Sequence, residues 1–242
     1  MMTFFERYDF LLLALLFCLP PLLIAAARPD LSPLMRRAAL LALPFALTER
    51  FFYPEYWSPT FLFDLIHQLG FGLEDLLFVA AFGAFAATAY PALARRQIVA
   101  AGPPRPRLAA ALIAGSIATA LLLHAAGLSM YGATITAELA ALAAVLRLRP
   151  DLALPALVGG LFVTAIYALI CLVYATLLPG IFDRVWHTAA LFDRSLAGIP
   201  LEELLYGLAS GALATAALPA VTGQRYLRAG RGFPIVGVAR PR

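Results

Sequence analysis

Two pairs of acidic residues stand at the start of apolar runs, and their type and spacing could support proton-transfer chemistry. One pair is Glu74 and Asp75 in the sequence GLEDLLF, and the other is Glu202 and Glu203 in the sequence PLEELLY. An apolar environment disfavours a charged carboxylate, so a buried carboxyl group can stay neutral and donate a proton to a weakly basic substrate. A neighbouring carboxylate or a water molecule can take a proton back. The four acids are therefore the predicted catalytic residues.

The same residues also suit the start of a helix. Proline favours the first helical position, and acids in the first turn stabilise the helix dipole. This structural role accounts for one acid of each pair. Neighbouring residues on a helix point about 100° apart, so the second acid of each pair is left for another role.

The two pairs belong to an internal repeat. When residues 70–93 are aligned with residues 198–221, 12 of the 24 positions are identical, including the first acid of each pair. Upstream, Trp57 and Trp186 each lie seven residues before an aspartate that ends the sequence Leu-Phe-Asp. This pattern predicts an internal duplication whose two halves share one site.

Membrane-spanning helices must position these acids. Hydrophobic residues make up 62% of the chain, 13% are charged, and the mean hydropathy is +0.86, which is too apolar for an ordinary soluble domain. A span needs roughly 20 apolar residues. The predicted fold is therefore an all-α integral membrane protein of about seven transmembrane helices, at residues 8–27, 38–52, 69–93, 108–128, 131–146, 153–178 and 198–221. The second span is short and carries Glu49 and Arg50 near its end.

The arginines predict the orientation. With seven spans, 14 of the 18 basic residues fall on one side of the membrane, and basic residues concentrate in cytoplasmic loops. The N-terminus is therefore expected outside and the C-terminus in the cytoplasm of a multi-pass cell-membrane protein. The net charge of +4 follows from arginines that flank the spans, so we expect membrane lipid and no nucleic acid as a partner.

The predicted organisation is two parallel three-helix repeats joined by a linker helix. The first repeat is expected over 1–97, the linker with the fourth helix over 98–130, and the second repeat over 131–224. A basic cytoplasmic tail is expected over 225–242. The sequence does not determine the oligomeric state.

Other residues are candidates for contact with a substrate. Glu138 lies inside the fifth predicted span, where an ionisable residue indicates a functional site by default; a buried polar contact between helices is the alternative. Trp57 and Trp186 precede the acid pairs, and Phe78 and Tyr206 follow them. Anchoring at the membrane interface is the alternative role of the two tryptophans. Aromatic faces stabilise cations, so these four aromatic residues, together with Glu138, are predicted to bind an apolar substrate that becomes cationic. An acid among aromatic rings suits acid-initiated rearrangement of a polyene. No metal-ligand spacing is present, and neither a metal nor a cofactor is predicted.

The PLEELLY sequence resembles the Pro-x-Glu-Glu/Asp motif of the membrane-integral lycopene cyclases, and GLEDLLF resembles the same motif in a first half. That family comprises bacterial and archaeal enzymes of two related small subunits or their fusion, and the cyclase half of fungal bifunctional enzymes. The resemblance implies redox-neutral ring closure at the ends of a linear carotenoid such as lycopene, with a glutamate as the proton donor. Gly72 stands where the motif has proline. No Gly-x-Gly-x-x-Gly segment, the dinucleotide fingerprint, occurs in the chain.

Two alternatives use the same acids differently. A CAAX-type intramembrane protease also carries a Glu-Glu pair, but that family expects an arginine soon after the pair, where this chain has Leu204-Leu205-Tyr206. A proton-coupled transporter would need a water-lined path across the membrane, where a cyclase needs only an entrance from the lipid. The chain contains no lysine, so a retinal Schiff base is excluded.

Overall fold

A computed structural model describes residues 4–187 and 192–228. Ten α-helices occur in this part of the chain: α1 Phe4–Arg7, α2 Asp9–Ala27, α3 Ser32–Ala42, α4 Leu65–Leu69, α5 Leu73–Leu93, α6 Pro106–Ala125, α7 Met130–Leu148, α8 Ala153–Leu177, α9 Ile181–Val185 and α10 Leu201–Thr222. The 3-10 helices are Pro29–Leu31, Leu43–Phe51, Leu62–Asp64 and Pro150–Leu152. The strands are β1 Arg96–Ala100, β2 Ser195–Leu196, β3 Ile199–Pro200 and β4 Gln224–Arg228. The protein is thus mainly helical, as predicted.

Six helices of the described residues are long and apolar enough to cross a membrane: α2, α5, α6, α7, α10, and α8 together with the turn before it. The segment predicted as the second span has a different construction. The 11-residue helix α3 continues directly into the nine-residue 3-10 helix Leu43–Phe51. At rises of 1.5 and about 2.0 Å per residue the combined segment is about 34 Å long. Both of its parts contact α5.

Each acid-bearing helix packs closely on one neighbour through a glycine. In α5, a Cβ added at Gly83 would lie 2.7 Å from the Ala42 Cβ of α3. In α10, a Cβ added at Gly211 would lie 2.6 Å from the Val163 Cβ of α8. These two glycines occupy equivalent positions of the aligned segments. Small residues let membrane helices approach closely, so both pairs of helices are packed nearly backbone to backbone.

Two copies of the sequence Arg-Pro-Asp-Leu form matching 3-10 turns, after α2 and after α7. Arg28 binds the Asp30 carboxylate through Nε at 2.8 Å and Nη2 at 2.7 Å, and Arg149 binds Asp151 at the same two distances. The guanidinium of Arg28 holds the pKa of Asp30 below its usual range. The two turns lie 121 positions apart in the sequence. They lie outside the aligned segments 70–93 and 198–221, so they are additional evidence for an internal repeat.

The arginine-rich end of the bundle is closed by a small sheet. Arg28 Nη1 and Nη2 donate to the carbonyls of Pro91 and Arg96 at 3.1 and 3.0 Å. Strand β1 pairs with β4 in antiparallel register from Arg96 opposite Arg228 to Ala100 opposite Gln224. The predicted tail at 225–242 therefore begins inside a strand, because its first residues complete backbone hydrogen bonds with the segment after α5. The rest of that tail, 229–242, lies outside the described residues.

Candidate active site

The acid pairs lie in the first turns of α5 and α10, at the end of the bundle opposite the arginine-rich sheet. Because α5 begins at Leu73 and α10 at Leu201, each pair occupies the second and third helical positions. Successive positions are about 100° apart around the axis. The two acids of each pair therefore point in different directions, and the structure gives them different partners.

The first acid of each pair binds the chain segment that precedes its helix. Glu74 Oε1 accepts a hydrogen bond from the Leu62 N–H at 2.6 Å, and Glu202 Oε1 accepts one from the Phe192 N–H at 2.9 Å. Both donors lie in the repeated Leu-Phe-Asp segments. The two glutamates are 1% and 0% exposed, and neither lines the cavity beside the second acids. The predicted catalytic residues Glu74 and Glu202 thus hold the preceding segments in place.

The second acid of each pair faces the interior between the helices. Asp75 Oδ2 accepts a hydrogen bond from the Gly72 N–H at 2.7 Å and so caps its own helix. Glu203 makes no such cap. Both second acids line an interior cavity, so each pair divides into one acid bound to the preceding segment and one cavity-facing acid.

Glu203 is held by three neutral donors from three other parts of the chain. Its Oε1 accepts from the Tyr56 hydroxyl at 2.5 Å and from the Trp186 indole N–H at 2.8 Å, and its Oε2 accepts from the Tyr167 hydroxyl. The side chain is 6% exposed. Burial, together with the adjacent Glu203, raises the pKa of Tyr56 well above its usual range, which keeps this hydroxyl a neutral donor. No ion pair to Glu203 occurs among the described residues.

The cavity beside Glu203 has a volume of about 360 Å³, within the range of roughly 300–1,000 Å³ typical of small-molecule sites. The cavity runs between α5, α6, α7, α10 and the α3 segment, which is α3 together with the 3-10 helix Leu43–Phe51. Most of its surface is apolar. Near the acids the Phe82 ring stacks on Phe78 at 5.7 Å and on Tyr206 at 5.4 Å between ring centroids. Such a wall can bind a hydrocarbon and stabilise a cation formed from it.

A comparison with known protein families identifies the second half of the chain. Residues 129–219 match the family model described as lycopene cyclase. This part of the chain is a lycopene cyclase domain. The resemblance predicted from PLEELLY is thereby confirmed. No curated protein and no solved structure matches the chain.

The lycopene cyclase domain supplies much of the site. The matched residues include Tyr167, Trp186 and Glu203, and also Tyr206, which was predicted to contact substrate. Tyr56 comes from the first half, outside the match, and its ring stacks on that of Tyr131 at 5.3 Å between centroids. The cavity-facing glutamate of the cyclase domain is therefore completed by a residue of the other half.

Glu138 of the cyclase domain forms a second polar position in the cavity. Both of its carboxylate oxygens accept from the Ser210 hydroxyl, at 2.8 and 3.0 Å. Ser210 follows Glu203 by seven residues on α10, which is about 10 Å along the helix. The predicted substrate-binding residue Glu138 thus lines the same cavity as Glu203, but about two helical turns further from the acid end.

The two tryptophans lie side by side where the halves meet. Trp57 and Trp186 form an antiparallel backbone bridge, and their ring centroids are 5.1 Å apart. Both line the cavity, as does Phe78. The two tryptophans, which have the same spacing from the Leu-Phe-Asp segments, are therefore in direct contact where the two halves of the chain meet.

Glu49 is a cavity residue that the sequence analysis did not place in the site. Its Oε1 accepts a hydrogen bond from the Trp57 indole N–H at 2.6 Å, and its side chain lines the cavity together with Asp75 and Glu203. From the sequence, Glu49 was only a charged residue near the end of the short second predicted span. An acid inside an apolar segment, eight residues before the repeated tryptophan, was the available signal.

No group of three or more histidine, cysteine, aspartate or glutamate side chains that could hold a metal ion occurs within residues 4–187 and 192–228. His67 pairs with Asp64 at the surface at 2.6 Å, and His187 contacts the Pro54 carbonyl at 2.9 Å. These histidines have local partners outside the cavity.

Proposed function

We propose that the protein is a lycopene-type cyclase that closes rings at the ends of a linear carotenoid by acid catalysis, with Glu203 as the proton donor. The observation that carries the proposal is the Glu203 carboxyl group, held by three neutral donors at the end of an apolar, aromatic-lined cavity. The family match supports carotenoid cyclisation in general and supports neither the transporter nor the protease alternative.

The proposed reaction gains and loses one proton per ring. The Glu203 carboxyl protonates the terminal double bond of the polyene, which leaves a tertiary cation. A neighbouring double bond attacks that cation, so the six-membered ring closes and the positive charge moves to a ring carbon. Loss of a proton from an adjacent carbon forms the ring double bond. No electrons are exchanged with a cofactor, and the product is an isomer of the substrate.

The three donors suit Glu203 to this step. Tyr56, Tyr167 and Trp186 fix both carboxylate oxygens, so the carboxyl group is oriented before substrate arrives. Because none of the donors is a cation, they stabilise the carboxylate less than an arginine would. Glu203 is therefore suited to carry and release a proton in a low-dielectric site.

We also propose the predicted seven-span topology for the membrane. The α3 segment supports it, because its length of about 34 Å matches the hydrocarbon thickness of roughly 30 Å. The Arg-Pro-Asp-Leu turns and the equivalent glycines Gly83 and Gly211 support two parallel repeats at 1–97 and 131–224, with α6 as the linker helix within 98–130. The arginine excess at the β1–β4 end supports a cytoplasmic location for that end, an external N-terminus and the cell membrane as the location.

Expression in cells that accumulate lycopene tests the proposed function. We expect the red cells to turn yellow-orange, because ring closure moves each end double bond of the conjugated system into a ring, where it is twisted from the plane of the chain or lies outside the conjugation. The new pigment should have the same molecular mass as lycopene on liquid chromatography with mass detection. In isolated membranes suspended in D₂O, the product should gain one deuterium for each ring formed. Unchanged lycopene in cells that contain the protein in their membranes would refute the assignment.

Substrate is proposed to enter from the lipid between α3 and α6. Leu41 and Leu121 line the cavity from these two helices, and they are also 37% and 36% exposed. α3 packs mainly on α5 and α6 mainly on α7, which supports an opening between α3 and α6 toward the bilayer.

A bulky residue at this opening should slow access of the polyene. We expect Leu121→Trp to lower the rate of lycopene conversion several-fold, with the product unchanged. Leu122→Trp is the matched control, since Leu122 is 70% exposed on the same helix and does not line the cavity. Initial rates in isolated membranes over a range of lycopene concentrations measure the effect. Equal rates for the two variants would contradict an entrance at this position.

A further inference from the structure

The tryptophan pair holds a second carboxylate in the same cavity as Glu203. Trp186 donates its indole N–H to Glu203, and Trp57, which is in contact with Trp186, donates its indole N–H to Glu49. The two halves of the chain therefore present one indole-bound glutamate each. This pairing joins Glu203 to Glu49, whereas the sequence repeat pairs Glu203 with Asp75.

Glu49 is engaged on one side only. Its Oε1 accepts the Trp57 hydrogen bond, and its Oε2 accepts no hydrogen bond from the residues that the structure describes. The neighbouring Arg50 forms no ion pair with it in that part of the chain, and the Arg50 side chain lies against Gly70. Glu49 thus combines an oriented carboxyl group with an oxygen that none of the described residues binds.

Asp75 is less suited to the same task. It also lines the cavity, but its Oδ2 caps α5 through the Gly72 N–H. Glu138 is bound at both oxygens by Ser210 and lies about two turns of α10 from Glu203. Ring closure needs its two proton transfers at carbons of the same six-membered ring, so the base must lie near the acid. The shared tryptophan pair places Glu49 at that end of the cavity.

We propose that Glu49 is the base that removes the proton from the ring cation, a role that rests on the proposed function of Glu203. The Glu203 O–H bond breaks as a C–H bond forms at the terminal double bond. After ring closure, a C–H bond beside the cationic carbon breaks, its electron pair forms the ring double bond, and the proton passes to Glu49. One proton has then moved from Glu203 to Glu49, and exchange with solvent water at the adjacent end of the bundle restores both groups.

The position of the base determines which double bond forms. The cationic ring carbon has hydrogens on three kinds of neighbour: the carbon that carries the polyene chain, the other ring carbon and the methyl group. Loss from each gives a different ring isomer. Glu49→Gln should therefore change the proportions of ring isomers as well as lower the rate. General base catalysis typically contributes at least about 100-fold, so we expect a rate loss of that order with a mixture of isomers in the residual product.

The experiment compares wild type, Glu49→Gln and Glu49→Asp in isolated membranes supplied with lycopene, with the isomers separated by chromatography. Glutamine keeps the acceptor oxygen for Trp57 but cannot take up the proton. Aspartate keeps a basic carboxylate on a shorter side chain. It should restore part of the wild-type rate and part of the wild-type proportion of ring isomers. Glu55→Gln is the control, since Glu55 lies six residues after Glu49, beyond the end of the 3-10 helix, and is exposed. It should behave as wild type.

A matched pair of variants tests the role of the indoles. Trp57→Phe removes the hydrogen bond to Glu49 and should broaden the isomer distribution. Trp186→Phe removes one of three donors to Glu203 and should lower the rate with the isomer unchanged. If wild type cyclises lycopene and Glu49→Gln gives the wild-type isomer at the wild-type rate, the role of Glu49 is overturned and that of Glu203 stands. If wild type forms no rings, the proposed function itself fails.

Discussion

Glu203→Gln should abolish ring formation while leaving the protein folded in the membrane. The amide cannot supply the proton that starts the reaction, and positioned acids typically contribute about 10²–10⁴-fold to a rate. Glutamine preserves the local structure, since its carbonyl can accept from Tyr56 and Trp186. The Tyr167 hydroxyl, which is both donor and acceptor, can then accept from the new amide N–H. Pigment analysis of lycopene-accumulating cells, normalised to the amount of protein in their membranes, measures the effect.

Glu202→Gln is the control for this variant. Glu202 is adjacent in sequence and also buried, but it binds the Phe192 N–H and does not line the cavity. Its amide counterpart can still accept that hydrogen bond, so cyclisation should continue at close to the wild-type rate. The reverse pattern, an inactive Glu202→Gln and an active Glu203→Gln, would assign the chemistry to the other acid of the pair.

The sequence predicted most of the helix positions because apolar runs of sufficient length have few alternatives to crossing a membrane. Helix α2, predicted at 8–27, spans Asp9–Ala27, and α10, predicted at 198–221, spans Leu201–Thr222. The α3 segment was placed less well. Arg36 and Arg37 lie in its first turns and are exposed, so hydropathy moved its predicted start to 38. Long arginine side chains can reach the polar interface from inside a helix end.

The start of α5 was also predicted too early, at 69. Gly70 adopts a left-handed conformation with φ of 81° and ends α4, and Gly72 then precedes the first residue of α5. A glycine of this kind commonly terminates a helix. The apolar run alone does not contain this break, because Leu69, Phe71 and Leu73 continue it without interruption.

The sequence predicted the region of the candidate site better than it predicted the contacts of the individual residues in it. The repeated acids indicated the ends of α5 and α10 at which Asp75 and Glu203 line the cavity. Which member of each pair faces the cavity depends on the rotation of the helix about its axis. The sequence does not determine this rotation closely enough to distinguish two neighbouring acids, which point about 100° apart. Two of the three partners of Glu203 were beyond sequence patterns: Tyr56 lies 147 residues away in the chain and Tyr167 lies 36 residues away.

The largest expected effect on stability comes from Gly211→Leu in α10. A Cβ at Gly211 would lie 2.6 Å from Val163 Cβ, closer than side-chain carbons approach, and the remaining leucine atoms would extend into α8. In the same interface, Gly159 and Gly160 of α8 contact Thr215 and the backbone of Leu208. Since both helices are already at backbone contact, the leucine must separate them. We expect a cost at or above about 3 kcal/mol, the upper end for overpacking, and little correctly folded protein.

Gly115→Leu is the control for this effect, because a Cβ added at Gly115 of α6 meets no atom within 4 Å. Its thermal unfolding midpoint in detergent and its elution on size exclusion should match wild type, whereas Gly211→Leu should elute as aggregate. Separating α8 from α10 would also move Tyr167, on α8, away from Glu203, on α10. Any Gly211→Leu protein that remains folded should therefore lose cyclisation as well. A stable, active Gly211→Leu variant would show that α8 and α10 are not in this close contact.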